Sequence, residues 1–186
     1  MRIISGNFKG KKILEPKDIK TRPLKDLTKE SIFNIINHSN KFNVNLKGAV
    51  VLDLFSGVGS FGIECISRES KKVFFVENYY GVLPILKKNL FNLKLADNFE
   101  IIEKDIYNHN IFENLNTKFD IIFLDPPYKD KNLEKILLKI KSTKVLKNKG
   151  VIIIHRHKKD QNKLPITFKI IEEKTYGISK ILFISF

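Results

Sequence analysis

The sequence predicts an α/β domain built on a seven-stranded, mostly parallel sheet with helices on both faces. Three observations carry that reading. Four short apolar runs each close on an acid, namely Ala49-Val50-Val51-Leu52-Asp53, Val73-Phe74-Phe75-Val76-Glu77, Ile101-Ile102-Glu103-Lys104-Asp105 and Ile121-Ile122-Phe123-Leu124-Asp125. They are rich in β-branched and aromatic residues and mostly unalternating, which is the pattern of strands buried on both faces. Segments with helical spacing lie between them, and such alternation makes βαβ units and a parallel sheet. The chain then closes on two further apolar runs around a turn signal.

Residues 1–47 come first and differ in style. Ile3-Ile4 and Lys12-Ile13-Leu14 flank a Ser5-Gly6-Asn7 turn, which predicts a small hairpin carrying Gly10. Thr21-Arg22-Pro23 follows, then a helix from about Thr28 to Asn37 with Ile32, Ile35 and Ile36 on one face. From Met1 to Lys25 there are eight Lys/Arg against two acids, a local net of +6. This stretch reads as a basic arm and helix, 1–47, attached to one compact core unit, 48–186. In the core, Val82, Leu83, Leu86 and Leu90 mark a helix after the second run, and Leu133, Ile136, Leu137 and Ile140 mark another after the fourth. A fifth strand, Val151 to His155, follows Gly150. Phe168 to Glu172 and Ile181 to Phe186, separated by Tyr176-Gly177, form a C-terminal antiparallel hairpin at the sheet edge.

Composition bounds the function. With 186 residues, 42% hydrophobic and 29% charged, the chain has the material for one full core, and disordered, collagen-like and mucin-like readings are excluded. No apolar run reaches the roughly 18–20 residues of a membrane span, and the amino terminus lacks a signal-peptide pattern, so a cytoplasmic protein is expected. The single cysteine, Cys65, allows no internal disulfide and is expected in the core; no metal site is expected. The net charge of +14, 34 Lys+Arg less 20 Asp+Glu, fits a polyanionic partner. Lysine supplies 30 of those basic residues, beside 27 Ile and 17 Asn, a usage that AT-rich coding also produces.

The strongest local motif runs from Asp53 to Gly62, a strand end followed by a glycine-rich turn into a helix. Gly57, Gly59 and Gly62 match G-x-G-x-x-G, and Glu77 ends the next strand where an acid would bond a ribose hydroxyl. In a dinucleotide site the glycines begin almost at the strand end and the pyrophosphate rests on the helix N-terminus. Here Asp53 stands four residues ahead of Gly57, where it would repel a pyrophosphate and suit a cationic, amino-bearing ligand. S-adenosylmethionine is such a ligand. Glu77 would take its ribose diol, and Asp105 could accept from its adenine amine.

Asp125-Pro126-Pro127-Tyr128 lies at the end of the fourth run, on the same edge. Two prolines remove two backbone donors, leaving carbonyls with no competing N–H beside them. A planar exocyclic amine offers two N–H groups, which the Asp125 carboxylate and the Pro126 carbonyl could accept together. That would draw the nitrogen toward the sp³ geometry that attack on a methyl requires. Tyr128 offers a face for the base to stack on, an interaction worth about 1–3 kcal/mol.

These residues resemble the class I S-adenosylmethionine-dependent methyltransferases, and within them the bacterial guanine-N2 methyltransferases of small-subunit (16S) ribosomal RNA. The resemblance runs almost end to end. It includes Arg2-Ile3-Ile4-Ser5-Gly6 with Lys9-Gly10, Thr21-Arg22-Pro23, Glu30-Ser31-Ile32-Phe33-Asn34-Ile35, Asp53 to Gly59 and Gly62-Ile63-Glu64. It continues through Ser67-Arg68, Val76-Glu77, Asn89-Leu90, Asp125-Pro126-Pro127-Tyr128 and Tyr176-Gly177. Two segments depart from the family pattern: Leu24 where threonine is usual, and Glu69-Ser70 where Gly-Ala is usual. The resemblance implies a Rossmann-like class I methyltransferase fold acting as a monomer on 16S ribosomal RNA in the small subunit or its assembly intermediate. It implies catalytic roles for Asp125, Pro126, Pro127 and Tyr128, and cofactor contacts at Asp53, Phe55, Gly57, Gly59, Glu77, Asp105 and Ile106. RNA would meet Arg2, Lys9, Lys11, Lys12 and Arg22, with Arg156. His155 and His157 lie on the active edge too and are expected to face RNA or to be incidental.

Three rivals compete. An adenine-N6 methyltransferase of DNA or RNA would use the same tetrad, but only about 20 residues separate Tyr128 from the fifth strand, too few for a target-recognition domain. A nicotinamide-dependent oxidoreductase explains neither Asp53 nor the tetrad. A non-catalytic ribosome assembly factor on the same fold has no need of either.

Overall fold

Strands that are apolar on both sides must be covered on both sides, and the chain does this with helices. The computed structural model describes residues 1–16, 24–94, 98–108, 110–127, 129–160 and 164–186. Thr21, Arg22, Pro23 and Tyr128 lie outside the described residues. The elements are α1 (Asp26–His38), β1 (Val50–Leu54), α2 (Ser60–Ser67), β2 (Lys72–Val76), α3 (Leu83–Asn92) and β3 (Phe99–Ile102). Then come α4 (Ile111–Asn114), β4 (Phe119–Leu124), α5 (Leu133–Ser142), β5 (Leu146–His157), β6 (Lys169–Tyr176) and β7 (Ser179–Ser185).

The sheet order is β3-β2-β1-β4-β5-β7-β6. β1 to β5 are parallel, while β7 runs antiparallel to both β5 and β6. Strand residues alternate between two cores. Val51, Phe75, Phe123 and Ile153 join α1, α2 and α3, whereas Leu52, Phe74, Leu124 and Ile154 join α4 and α5. On the first face Phe33 stacks on Phe61, and Phe61 stacks on Phe123. Cys65 is buried in the same core. Chain order reverses between β1 and β4, and this switch point is where open α/β sheets form a crevice at the strands' carboxyl ends.

Ile3, Ile13, Leu24, Ile32 and Phe33 share one core with the sheet. Ile3 N–H bonds Lys11 O at 3.0 Å and Gly10 N–H bonds Ile3 O at 2.9 Å, forming the expected small hairpin. It lies along α2, with Asn7 N–H on Ser67 O at 2.8 Å. Gly6 is required there, because a Cβ would fall 1.8 Å from Ser67 O. Glu64, quoted in the sequence pattern but given no role there, anchors the other side. Its carboxylate accepts from Ile4 N–H at 2.8 Å, Ser5 N–H at 3.0 Å and Arg68 Nε at 2.8 Å, with Lys29 Nζ 3.8 Å away.

The differences from expectation have local causes. β3 ends at Ile102 rather than Asp105, because this edge strand turns out of the ladder with Lys104 N–H on Ile102 O at 3.0 Å. β5 begins at Leu146 rather than Val151, since a register shift absorbs the polar residues before Gly150. α4 adds a short turn that carries no periodic signal. Glu69 has φ +66° just past α2, a left-handed position that favours glycine. Among the described residues no helix is long and apolar enough to cross a membrane.

Candidate active site

The register of β1 and β4, with Asp53 opposite Phe123 and Leu54 opposite Leu124, puts two acids at one crevice. Asp53 is the next-to-last residue of β1, and Asp125 follows the last of β4. They line one cavity of about 930 Å³ together with Phe55, Gly57, Glu77, Asp105, Ile106, Pro126 and Pro127. Nine of the expected site residues thus converge, and the volume falls within the range usual for small-molecule sites.

Asp53 is only 1% exposed, and its Oδ2 accepts the Gly62 N–H at 3.0 Å. That bond fills the end of α2 where a dinucleotide site would seat its pyrophosphate. Burial pushes the Asp53 carboxyl well above the usual range, and the negative charges of Asp125 and Glu77 push it further. Phe55, at φ +60°, turns the chain out of β1, and Ser56 ties the loop to β2 through Val76 O. Gly57, at φ +55°, donates its N–H to Glu77 Oε2 at 2.8 Å, and Asn78 and Tyr79 N–H hold Oε1 at 2.9 and 2.8 Å. Glu77 is therefore fixed with both oxygens oriented before any ligand arrives.

Gly59, expected at the cofactor, lies between the lining residues Val58 and Ser60 and does not itself line the cavity. A Cβ there would fall 2.6 Å from a Leu86 methyl, so this glycine serves packing at the start of α2. Gly62 does the same against the Phe75 ring, 2.3 Å from its virtual Cβ. After β3, Asp105 Oδ1 accepts Tyr107 N–H at 2.7 Å, and Ile106 turns into the second core. The Tyr107 hydroxyl donates to Asp130, linking the loops beyond β3 and β4 across the cavity. Burial and the Asp130 carboxylate raise the Tyr107 phenol well above its usual range, so it remains that donor.

Behind the tetrad, two residues of β5 depart from expectation. His155 is 6% exposed and does not face outward: its Nδ1 lies 2.8 Å from Asp125 Oδ1, and its Nε2 lies 2.9 Å from Ser179 Oγ on β7. Arg156, expected at RNA, is 2% exposed and turned inward. Its guanidinium donates to Pro127 O at 3.1 Å and Asp130 O at 2.9 Å, and pairs with Asp160. It braces the loop that carries the tetrad. A strand residue's two faces depend on what packs beside it, and here β7 covers β5.

The other basic expectations divide by place. Arg2, Lys9, Lys11 and Lys12 are exposed, yet none lines the cavity. The hairpin tip docks at the far end of α2, and eight residues at 1.5 Å each put it about 12 Å from the glycine loop. At the cavity mouth stand three exposed lysines that motif reading did not single out, Lys25, Lys104 and Lys129. They come from three separate loops, so nothing in local sequence joins them. The cavity is thus acidic at its floor and basic at its rim.

This donor set fits S-adenosylmethionine. Asp53 is a buried carboxyl whose Oδ1 has no partner among the described residues, which suits a cationic sulfonium and α-amino group. Glu77 and Asp105 supply acceptors for hydroxyl and amine donors, and a phosphate would meet repulsion at the floor. A pH dependence follows. Unliganded Asp53 holds its proton above the usual carboxylate range, and a cationic ligand favours the ionised form. Cofactor affinity should therefore rise with pH, close to tenfold per unit for one linked proton, and level off above the raised pKa. In the folded state the proton is held more tightly than in the unfolded chain, so this group's contribution to stability falls as pH rises through that window. Asp53→Asn keeps an acceptor for Gly62, and should melt higher at neutral pH while binding cofactor weakly and without the pH trend. Calorimetry and melting curves check both halves.

Comparison with known proteins agrees with this geometry. "Putative rRNA methyltransferase YlbH" of Bacillus subtilis (strain 168) is 32% identical over 185 residues, covering 97% of this chain and 96% of its own. "Ribosomal RNA small subunit methyltransferase D" of Haemophilus influenzae is 31% identical over 179 residues, covering 96% and 90%. The solved structure of "Putative methyltransferase yhhF from Escherichia coli" superposes with a TM-score of 0.82 at 25% identity, over 99% of this chain and 96% of that one. The architecture is that of the class I methyltransferases. The match of the family model runs from residue 1 to 185, arm and core alike, and the chain accordingly belongs to the family described as Conserved hypothetical protein 95.

Proposed function

We propose that this protein methylates the exocyclic N2 amine of a guanine in ribosomal RNA of the small subunit, with S-adenosylmethionine as donor. The observation that carries the reading is the shared cavity, in which Asp53 and the Asp125-Pro126 step face one space with an acidic floor and a lysine rim. The relatives' names supply ribosomal RNA and the small subunit. Guanine N2 rests on the resemblance of the amino-terminal segments.

S-adenosylmethionine, when bound, supplies a methyl group already activated by its sulfonium. Asp53, Glu77 and Asp105 hold that ligand by its charge, its ribose and its adenine. Asp125 Oδ1 is engaged by His155, while Oδ2 has no partner among the described residues and serves the target amine. The Pro126 carbonyl is likewise without a donor among the described residues and accepts the amine's second N–H. Asp125 Oδ2 takes the proton that the amine loses on methylation. Positioning of this kind supplies about 7–11 kcal/mol of a barrier. Tyr128 stacks on the base, the exposed Arg2, Lys9, Lys11 and Lys12 of the 1–47 arm reach phosphates away from the cavity, and Arg22 is a further phosphate contact.

Lys25 and Lys129 test the rim. Replacing either with Gln should weaken RNA binding and lower the salt slope by about 0.7–0.9, with cofactor affinity unchanged. The test of the whole is transfer of labelled methyl to small ribosomal subunits lacking the modification, with naked 16S ribosomal RNA and duplex DNA in parallel. Label in RNA supports the reading. Label confined to DNA overturns the substrate, and cofactor binding with no transfer to any polymer leaves an assembly factor.

A further inference from the structure

Asp125 has two oxygens, and one is already committed. β5 lies beside β4 with Ile154 opposite Leu124, so His155, still within β5, lies beside Asp125 just past the end of β4. β7 then brings Ser179 to the far side of the imidazole. All three residues line the cavity, His155 and Ser179 being 6% and 5% exposed. An ionised Asp125 can only accept, so the His155 nitrogen facing it at 2.8 Å carries the hydrogen. In a neutral imidazole Nε2 is then the acceptor, and the Ser179 hydroxyl donates to it across 2.9 Å. The chain Ser179 to His155 to Asp125 therefore points one way.

We propose that His155, its ring held in place by Ser179, is a positioning residue for methyl transfer: it pins Asp125 Oδ1 so that Oδ2 is the oxygen presented to the target amine. This rests on the methyl-transfer reading above. A carboxylate free to rotate about its Cβ–Cγ bond would present either oxygen in many orientations. The pinned one offers a single acceptor, spaced from the Pro126 carbonyl for an amine with two N–H groups. His155 does not touch the substrate and does not exchange protons with it; the proton shed by the amine goes to Oδ2.

The test compares three variants by single-turnover methyl transfer and by cofactor affinity. His155→Leu removes the donor and should slow transfer by about 10²-fold, the cost of misplacing a reacting group by an ångström, with cofactor affinity unchanged. His155→Asn can offer its side-chain N–H where Nδ1 stood, and should restore most of that rate. Ser179→Ala removes the hydrogen bond that orients the imidazole from its far side and should slow transfer less than His155→Leu. A purely structural histidine predicts the opposite split: stability falls, while transfer per folded molecule stays at the wild-type rate in both His155→Leu and Ser179→Ala. That result overturns the proposal, as does His155→Asn being no faster than His155→Leu. If His155→Leu does not fold, Ser179→Ala decides, a slowed rate supporting the proposal and an unchanged one overturning it. Failure of the underlying reading looks different, because the wild-type protein would then transfer no methyl at all.

Discussion

Asp125→Asn should lower the rate of methyl transfer by about 10²- to 10⁴-fold, the range for losing a positioned acid or base. Cofactor affinity should change far less than the rate, since the residues that hold the cofactor lie on β1, β2 and the loop after β3 and the lost Asp125 charge only lets Asp53 ionise more readily. The carboxamide is nearly isosteric, so the loss comes from hydrogen-bond direction. The His155 Nδ1–H, 2.8 Å from Oδ1, selects the amide oxygen as its partner. That turns the amide NH2 toward the target amine, and a donor then meets a donor where an acceptor is required. Single-turnover rates with calorimetric cofactor affinities check this. A variant that transfers methyl at the wild-type rate would remove Asp125 from the mechanism.

Glu64→Ala should be the most destabilising single change in the fold, by about 3–5 kcal/mol, the cost of leaving a buried ion without its partner. Glu64 and Lys29 are both fully buried. The carboxylate satisfies Ile4 N–H, Ser5 N–H and Arg68 Nε, and it faces Lys29, whose ammonium also donates to Arg2 O at 2.7 Å. Removing it strands two backbone donors and two cations between the hairpin, α1 and α2. At this chain length the expected fall in Tm is roughly 6–20 °C. Burial already lowers the Lys29 ammonium below its usual range, with Glu64 the main opposing influence. The variant's Lys29 should shed its proton more readily still. A lysine with a depressed folded pKa favours the unfolded state at low pH, so the deficit should shrink as pH rises. Denaturant melts at several pH values check this, and a loss under about 1 kcal/mol would show that the hairpin is not part of the cooperative unit.

The sheet was legible because its central strands are covered on both faces, so Val51, Leu52, Ile121 and Ile122 are all apolar and no alternation hides them. The acids at Asp53, Glu77 and Asp125 were legible for a related reason: each stands where an apolar run meets the open crevice. Asp105 was placed on a strand that ends three residues earlier, because an exposed edge strand has no buried pattern to mark its end. His155 and Arg156 could not be read locally. Their roles depend on β7 inserting antiparallel beside β5, which brings Ser179 to His155, and on a loop 26 to 29 residues upstream reaching Arg156. Glu64 looked like one residue of an apolar helix, and only the docked hairpin shows what its charge is for. Gly59 matched a phosphate-binding motif, yet its missing side chain makes room for Leu86.

The most direct measurement of the central claim is the identity of the methylated nucleoside. Small subunits labelled by the protein with S-adenosylmethionine would be digested to nucleosides and separated. The predicted result is N2-methylguanosine as the labelled species, absent from a parallel reaction with Asp125→Asn. Label recovered as N6-methyladenosine, or on a ring carbon or a ribose, would contradict the assignment of Asp125 and Pro126 to a guanine amine.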